Sequence, residues 1–413
     1  MKVVIATAVY YPQINGVAVF SHNLATGLVA RGNEVLVICP SQTGHNYAEV
    51  QDGVKVCYLK SIDVKVYPDQ IHEVPKKSKA FGIGMPRLFY RHGLRASVFP
   101  SHEIKQILDD FAPDVVHVQV SDPIGLSVVS YARKRKIPVV TTEHNQPEVI
   151  TNSLKIGLLK KPVNAVLSSY FRNRQSKSDF VTMPTELAIR ELIGEGSKFP
   201  VPVAAVSNGV DLSKFHPGKA KECIYRKYGI PEGVPVVLYI GRVDPEKKVG
   251  LVIEAFKKAI EKVPMAELVI IGDGVEKAKL ETLTKTLPKV IFLGRVLPPD
   301  LYELYKIGTV FATASPIETQ GIVLIEAAAS GLPLIAVNAG AVAEVCRNGE
   351  NGVLCRPGSV EEMTEAMVKI LSNKQLQQKY AKKSVEIAHE HDFEKTLDKF
   401  INIYNRVIQD KSK

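Results

Sequence analysis

The 413-residue sequence lacks most of the short motifs that mark common nucleotide-using and hydrolytic enzymes. It has no GxxxxGK[ST] loop and no GxSxG elbow, which argues against a P-loop NTPase and an α/β-hydrolase. It has no GxGxxG fingerprint, which weighs against a dinucleotide cofactor. A DxD pair is also missing, so a nucleotide-bridging metal has no obvious carboxylate ligands. We therefore predict no metal site and no cofactor.

Paired cysteines and long apolar runs are missing as well. The five cysteines are scattered and form no CxxC pair, which fits a reduced cytosolic chain rather than a structural zinc site. No stretch approaches 18 consecutive apolar residues, so no transmembrane helix is expected. The N-terminal MKVVIATAVYYP lacks a long apolar core and a small-residue cleavage site, and it predicts a first strand rather than a signal peptide.

The sequence is rich in short β-branched runs separated by helix-like segments. KVVIATA and DVVHVQV in the first half, and PVVLYIGRV and ELVIIGDG in the second, are nearly continuously apolar. Amphipathic stretches such as HEIKQILDDFA and LVIEAFKKAIEKV lie between such runs. Apolar strands alternating with helices indicate parallel sheets covered on both faces. We predict an α/β protein with two Rossmann-like, doubly wound domains that face each other across a cleft.

The boundary between these domains is predicted in the turn-rich stretch VPVAAVSNGVDLSKFHPGKAKE, at about 201–222. The C-terminal HDFEKTLDKFINIYNRVIQD predicts a helix. Ligands of open parallel sheets bind beyond the carboxyl ends of the strands. We therefore expect the functional residues in the loops that follow the strands.

One such loop and its helix, SPIETQGIVLIEAAASG, contain two carboxylates. Glu318 lies in the predicted loop, and Glu326 lies about two turns into the helix among apolar and small residues. Burying a lone carboxylate is costly unless it is hydrogen-bonded, and we expect ligand hydroxyls to be the partner of Glu326. The N–H groups of Gly321, Ile322 and Val323 predict an anion site at the helix start. The alternative is a buried helix whose Glu is paired with a neighbouring Lys or Arg.

Further candidates follow other predicted strands. Arg242 and Lys247 in YIGRVDPEKK suit a diphosphate, although a solvated basic loop would have the same composition. Gly16 follows the first strand and permits close approach of an anionic or sugar ligand, but Asn-Gly is also an ordinary turn. His144 follows the strand VVTTEH, where a lone His is more often structural. The motifs GDG and FLGRV each close a strand and are weak signals by themselves.

The net charge of +10 is uneven, with +7 in residues 1–207 and +3 in the rest. Segments 75–100 and 151–178 each contain six Lys or Arg, no acid, and interleaved Leu, Ile, Phe or Tyr. That composition suits an anionic membrane surface, at about 1 kcal/mol per basic residue. The alternative is a solvated basic face, or contact with a phosphorylated soluble acceptor. No recognition motif supports nucleic-acid binding.

In this order and spacing, the motifs resemble those of glycosyltransferase family 4, the retaining nucleotide-sugar enzymes of the GT-B fold. The resemblance covers nearly the whole chain, from Gly16 and His144 through SNGVD, GRVDPEKK, GDG and FLGRV to the two glutamates. ETQG and the basic segments are similar to the lipid-glycosylating members, such as diacylglycerol glucosyltransferases and phosphatidylinositol mannosyltransferases.

The resemblance implies roles for these residues. Arg242 and Lys247 would hold the donor diphosphate and stabilise the leaving group in place of a metal, and Gly16 would approach the phosphates from the other domain. Glu318 would bond the hydroxyls of the donor sugar, and Glu326 would accept bonds from the ribose.

Other positions follow from the same resemblance. His144 would contact the sugar near the reacting carbon, and the N–H groups from Gly321 to Val323 would touch phosphate or sugar. Backbone groups near Gly294 and Val296 would contact the base. The acceptor-side domain would be 1–207 with a returning helix at about 390–413, and the donor-side domain 208–389. Glu143 departs from the family pattern, which expects a small or aromatic residue there.

Three hypotheses follow. The first is a metal-independent retaining hexosyltransferase that uses a UDP-glucose or GDP-mannose type of donor and a membrane lipid such as diacylglycerol or phosphatidylinositol. It would be cytoplasmic and peripheral on the membrane. The second keeps the chemistry but uses a soluble acceptor: a sugar phosphate, malate or a small glycoside. The third is a non-catalytic sugar-nucleotide binding protein. The sequence does not fix the base, the sugar or the oligomeric state.

Overall fold

The computed structural model describes residues 1–11, 13, 15–63, 95–119, 122–144, 160–193, 199–287 and 289–412. Its backbone contacts divide the chain into two compact units. Unit 1 is Met1–Val206 with Leu397–Lys413, and unit 2 is Ser207–Thr396.

Unit 1 contains, among the described residues, an eight-stranded sheet with the strand order β10-β9-β8-β7-β1-β2-β4-β3. Neighbouring strands are parallel except at the edge, where β3 runs antiparallel to β4. A separate antiparallel pair is formed by β5 and β6. The strands are β1 (Lys2–Ala6), β2 (Glu34–Pro40), β3 (Tyr47–Gln51), β4 (Val54–Leu59), β5 (Ser61–Asp63), β6 (Arg95–Ser97), β7 (Val115–Val118), β8 (Val139–Thr142), β9 (Phe180–Met183) and β10 (Val203–Ala205). Its described helices are α1 (Gly16–Ala30), α2 (Ser101–Phe111), α3 (Pro123–Lys134), α4 (Lys160–Gln175), α5 (Glu186–Ile193) and, from the end of the chain, α14 (Phe393–Ser412), which begins in unit 2.

Unit 2 contains a six-stranded parallel sheet with the order β13-β12-β11-β14-β15-β16. Its strands are β11 (Val236–Ile240), β12 (Glu267–Ile271), β13 (Val290–Gly294), β14 (Val310–Ala312), β15 (Leu334–Val337) and β16 (Gly352–Cys355). Its described helices are α6 (Glu222–Tyr228), α7 (Val249–Ala259), α8 (Lys277–Leu283), α9 (Asp300–Tyr305), α10 (Ile322–Ala329), α11 (Val342–Val345), α12 (Val360–Leu371) and α13 (Lys374–Ala388).

The central strands are buried on both faces, which explains their unbroken apolar sequences. In β1, Val3, Val4 and Ile5 have no exposed surface. In unit 2, alternate residues of β11 pack into two separate clusters: Leu238 belongs to one cluster and Val237 to the other. Each sheet face is therefore covered by its own layer, as expected for a doubly wound fold. The prediction of two such α/β domains is confirmed in each unit.

The apolar runs predicted as strands are strands, but four short strands are not among the predictions. The edge strand β3 alternates between exposed and half-buried residues and lacks a continuous apolar run. It joins β4 through Asp52 and Gly53, which both have positive φ. An Asp-Gly pair of this kind is a hairpin signal that is visible in the sequence. The others are β5, β6 and β10, of three residues each.

Candidate functional site

Arg242 lies on the loop that follows β11, and this loop is packed closely against the loop that follows β12. A Cβ atom at Gly272 would lie 1.8 Å from the carbonyl oxygen of Gly241, so the approach requires glycine. The backbone N–H of Val243 donates to the carbonyl of Asp273 at 2.9 Å. The GDG motif therefore supports the loop that carries Arg242.

The Arg242 guanidinium is held by acidic residues of its own loop. It donates to Asp244, and to Oε1 of Glu246 at 2.6 Å. Asp244 is nearly buried, and its second oxygen accepts from the N–H of Val275 at 3.0 Å, which fixes this partner. About half of the Arg242 side chain stays exposed, at 48%. The guanidinium is thus oriented by carboxylates and still accessible to an anion.

Lys247 and Glu318 form an ion pair between the ends of two neighbouring strands. Lys247 Nζ lies 2.7 Å from Glu318 Oε1, and both side chains are mostly buried, with exposures of 19% and 15%. Lys247 follows β11 and Glu318 follows β14, and these strands pair in parallel, so their carboxyl ends lie at the same edge. The structure therefore brings together two residues that sequence analysis placed in separate motifs.

Tyr239 links this pair to Arg242. Its hydroxyl donates to the carbonyl of Arg242 at 2.6 Å. Burial is the main cause that raises the pKa of Tyr239, and the charge of Glu318 raises it further. The charge of Arg242 lowers it. Glu318 and Arg242 therefore act electrostatically on the same hydroxyl, and Arg242, Lys247 and Glu318 form one charged cluster.

Gly321 begins the turn into α10 with a φ of 76°, a conformation that favours glycine. The first N–H groups of a helix have no acceptors within it, and here they include those of Ile322 and Val323. Both side chains pack against the unit 2 core, which orients the helix start. The preceding Gln320 is buried and donates to Ser207 Oγ at 2.6 Å, which anchors the loop.

Glu326 has a partner that sequence analysis missed. The hydroxyl of Tyr305, on α9, donates to Glu326 Oε2 at 2.6 Å. The pKa of Glu326 is raised to about 7 by burial, while the Tyr305 hydrogen bond lowers it. Glu326 therefore has a partner within the protein, and the ligand hydroxyls expected from the sequence would use its remaining acceptor sites. The cationic alternative is wrong, because the observed partner is a neutral hydroxyl.

Gly294 and Val296 lie at the end of β13 and just beyond it. Gly294 has a φ of 66°, and Val296 is half-buried against the core. Between them, burial lowers the pKa of Arg295, while the charge of Asp273 in the GDG motif raises it. Asp273 and Arg295 are therefore electrostatic neighbours, which no local sequence pattern indicates.

Gly16 and His144 belong to unit 1, whereas the charged cluster just described belongs to unit 2. Gly16 is the first residue of α1, and the N-cap Asn15 accepts from the N–H of Ala18 at 2.9 Å through Oδ1. The Asn-Gly pair is therefore a helix start. It places Gly16 at the carboxyl end of β1, where the sequence predicted it.

His144 follows β8 and is held as a neutral imidazole. Its Nε2 lies 2.7 Å from Gln119 Oε1, and its ring packs edge-on against Phe20 at 5.2 Å between centroids. Burial lowers the pKa of His144 to about 4. Because an amide oxygen accepts, Nε2 carries the proton, and Nδ1 is the acceptor nitrogen. At neutral pH this residue can accept a further hydrogen bond at Nδ1 but adds no charge.

His117 and Glu143 fix the surroundings of His144. The fully buried His117 contacts the hydroxyls of Tyr404 at 2.6 Å and Thr142 at 2.7 Å, and burial lowers its pKa to about 3. Glu143, which departs from the family pattern, is 1% exposed and accepts from Gln175 Nε2 at 3.2 Å. Its side chain is therefore part of the buried packing.

Two further observations concern metals and membranes. Within the described ranges, no three His, Cys, Asp or Glu side chains meet as a set of metal ligands. In the same ranges, no helix is both long and apolar enough to cross a membrane. Parts of the two basic segments, 75–94 and 151–159, lie outside the described residues.

Two family models match the chain. The model described as Glycosyltransferase Family 4 matches residues 14–214, and the model described as Glycosyl transferases group 1 matches residues 221–386. The first match covers most of unit 1, and the second lies within unit 2.

Three relatives show the range of named activities. An alpha-monoglucosyldiacylglycerol synthase from Streptococcus pneumoniae is 28% identical over 81% of this chain and 71% of its own length. A GDP-mannose-dependent alpha-mannosyltransferase from Mycobacterium tuberculosis is 28% identical over 93% of this chain and 92% of its own. An N-acetyl-alpha-D-glucosaminyl L-malate synthase from Bacillus anthracis is 25% identical over 97% of this chain and 96% of its own.

Solved structures have the same fold. A sucrose-phosphate synthase from Thermosynechococcus elongatus aligns with a TM-score of 0.73 at 16% identity, over 99% of this chain and 100% of that one. Anabaena Alr3699/HepE in complex with UDP-glucose aligns with a TM-score of 0.68 at 17% identity, over 98% and 100%. The predicted GT-B fold class is confirmed by these likenesses.

Proposed function

Since this chain belongs to glycosyltransferase family 4, we propose that it is a retaining hexosyltransferase for a membrane-lipid acceptor. The donor would be a nucleotide-diphosphate sugar of the UDP-glucose or GDP-mannose type, and no metal would be required. The observation that carries the proposal is the cluster of Arg242, Lys247 and Glu318 at the adjacent ends of β11 and β14.

The two cations of this cluster would bind the donor diphosphate. Lys247 is paired with Glu318, and Arg242 with Asp244 and Glu246. A diphosphate carries more negative charge than one carboxylate and accepts several hydrogen bonds, so it would compete for both cations. The cations would then stabilise the charge that develops on the leaving phosphate, the task that a metal performs elsewhere.

The carboxylates would bind the neutral parts of the donor. Once Lys247 turns to phosphate, Glu318 would accept hydrogen bonds from the sugar hydroxyls. Glu326, held by Tyr305, would accept from the ribose hydroxyls with its remaining acceptor sites. The N–H groups at the start of α10 would face a phosphate or sugar oxygen. Backbone groups near Gly294 and Val296 would contact the base.

On the acceptor side, Gly16 would approach the phosphates and neutral His144 would contact the sugar. Because the pKa of His144 is about 4, its imidazole is a weak base, and the proton of the attacking hydroxyl goes to another group. We assign that proton to the departing phosphate, with attack on the same face that the phosphate leaves. This course retains the anomeric configuration and needs no protein base.

The lipid acceptor is supported by relatives and by the surface of α4. The pneumococcal relative is named for a diacylglycerol product. On α4, Val166 and Tyr170 are large, exposed residues, with 69% and 43% of their surfaces accessible, and Arg172 is also exposed. Exposed apolar residues on a helix that also carries exposed cations suit an anionic membrane surface.

The test is sedimentation of the full chain with vesicles. The chain should sediment with phosphatidylcholine vesicles that contain about 30% phosphatidylglycerol, a composition that supplies the surface charge. Replacing Val166, Tyr170 and Arg172 with Ser, Ser and Gln should release it. The exposed Lys379 and Lys382 of unit 2, both changed to Gln, supply a charge control. Sedimentation that does not depend on lipid charge would sink the membrane proposal.

A soluble acceptor is the second candidate, favoured by the malate synthase relative, which aligns over 97% of this chain. A thermal-shift screen of UDP, GDP and ADP sugars should first identify the donor, because a ligand at 100 times its Kd stabilises by about 2.7 kcal/mol. Transfer assays with that donor then compare diacylglycerol in vesicles with malate and sugar phosphates. Faster transfer to a soluble acceptor, without vesicles, would favour this candidate.

A further inference from the structure

Unit 1 contains a cavity of about 380 Å³ that belongs to none of the sites described above. It lies between α3 and the end of α4, with β7 and β8 contributing one residue each. Its volume is in the range of small-molecule sites. Its lining includes Arg133, Lys134, Arg174, Gln175 and Lys177.

Four of the lining side chains are cationic, and none is a carboxylate. Arg133 donates to the carbonyl of Lys177 at 3.0 Å, which ties the end of α3 to the end of α4. Arg174 lies over the ring of Tyr170 at 4.5 Å. Among the described residues, none of the four cations has an acidic partner. The neighbouring Arg135, by contrast, is paired with Asp109 at 2.8 Å.

The four cations that line the cavity have no compensating negative charge among the described lining residues. Four like charges around one cavity repel each other, and an anion inside would remove that cost. Two of the four are arginines, whose guanidinium groups match phosphate geometry. The charge therefore indicates a multiply charged anion, for which a phosphate monoester is the common biological form.

Gln175 supplies an independent indication of a ligand. Its side chain is 1% exposed and lines the cavity, and its Nε2 donates to Glu143 at 3.2 Å. Its Oε1 is buried and has no hydrogen-bond partner. Leaving a buried acceptor unpaired is energetically unfavourable. Because the bond to Glu143 fixes the amide, Oε1 is available to a donor such as a hydroxyl.

We propose that this cavity binds a phosphate monoester of a polyol. The phosphate would contact Arg133, Lys134, Arg174 and Lys177, and a hydroxyl of the polyol would donate to Gln175 Oε1. The ester could come from a soluble metabolite or from a lipid headgroup. Arg174 and Lys177, at the end of the basic segment 151–178, would then belong to a discrete binding site.

The first experiment is isothermal titration calorimetry of the full chain with sn-glycerol 3-phosphate, inorganic phosphate and glycerol. Glycerol 3-phosphate should bind most tightly, inorganic phosphate less tightly and glycerol not at all. Lys134→Gln with Lys177→Gln should weaken binding of glycerol 3-phosphate at least tenfold. Lys379→Gln with Lys382→Gln removes the same charge from an exposed helix of unit 2 and should bind like the unaltered protein.

Phosphate can also bind at Arg242 and Lys247, so the titrations are repeated with Lys247→Ala. If Lys247→Ala binds glycerol 3-phosphate with unchanged affinity, the binding belongs to the cavity. If this variant no longer binds it, the assignment to the cavity is overturned. Gln175→Leu should bind glycerol 3-phosphate no more tightly than inorganic phosphate. If this variant does not fold, the paired lysine variants still decide the question.

Vesicles distinguish the two sources of the ester. Phosphatidic acid in phosphatidylcholine presents a phosphate monoester on a lipid. If the ligand is a headgroup, Lys134→Gln with Lys177→Gln should reduce sedimentation with these vesicles more than the control pair does. If the ligand is a soluble ester, the two double variants should sediment alike. Only Lys134→Gln with Lys177→Gln should then bind glycerol 3-phosphate more weakly. The proposal would be overturned if the two double variants behaved alike both in the titration with glycerol 3-phosphate and in the sedimentation assay.

Discussion

The residues that follow the strands form ion pairs in unit 2 but neutral hydrogen bonds in unit 1. In unit 2, cations and carboxylates form ion pairs, as in Lys247–Glu318 and Arg242–Glu246. In unit 1, Gln119 after β7 and His144 after β8 form a neutral hydrogen-bond network with His117. Burial keeps the pKa of His144 at about 4.

This difference indicates two kinds of ligand chemistry. Paired charges can exchange one anion for another, which suits a diphosphate that arrives and leaves. A neutral network can position hydroxyl groups without attracting ions or responding to pH near neutrality. If the comparison is correct, changes of charge should matter most in unit 2, and changes at His144 should matter least.

The largest effect is expected for Lys247→Ala. Loss of one positive charge that acts on the leaving phosphate should lower kcat by about 10²–10³-fold, as for loss of one oxyanion donor. Steady-state kinetics with the donor identified by thermal shift measures this change. The proposal that the two cations replace a metal also predicts that EDTA leaves the rate of the unaltered protein the same.

Lys306→Ala is the matched control for Lys247→Ala. Lys306 pairs with Glu303 at 3.0 Å in the same unit, and both side chains are similarly buried. Its loss should cost stability but little activity. Comparable loss of kcat in both variants would show that Lys247 is structural and would remove the main support for the donor assignment.

A smaller effect, centred on pH, is expected for Tyr305→Phe. The pKa of Glu326 is about 7, and the Tyr305 hydrogen bond lowers it. Donor binding that needs the carboxylate should therefore weaken as the pH falls below about 7. Without the hydroxyl the pKa rises further, so at pH 7 donor KM should increase about tenfold, in keeping with about 1.5–3 kcal/mol for a bond to a charged group. Raising the pH to 9 should restore part of the loss.

Tyr228→Phe provides the same substitution away from the cluster. The Tyr228 hydroxyl donates to Asp300 at 2.7 Å, near the surface of unit 2. This variant should keep the donor KM and its pH dependence. A pH profile of Tyr305→Phe that coincides with that of the unaltered protein would contradict the role given to Tyr305, while Glu326→Gln should abolish the dependence.

The strands of both units were predictable because burial on two faces leaves an unbroken apolar signal. The positions of Arg242, Glu318 and His144 after strands followed from the same pattern. Their contacts were not predictable in this way. Lys247 and Glu318 are 71 residues apart and meet because β11 pairs with β14. Tyr305 reaches Glu326 from another helix, 21 residues earlier, and nothing local in LYELY signals that contact.

The smallest effect is expected for His144→Gln. A glutamine amide can still donate to Gln119 Oε1, so the neutral hydrogen bond is kept in kind. Because such a bond contributes about 0.5–1.5 kcal/mol, kcat/KM should fall by no more than about tenfold. His144, with a pKa of about 4, stays neutral from pH 5.5 to 8, so its replacement should leave the pH profile unchanged over that range. The profile would still bend near pH 7, where Glu326 titrates. If His144→Gln instead removed a bend near pH 6.5, an imidazolium would take part in transfer, and the contrast between a neutral unit 1 and a charged unit 2 would fail.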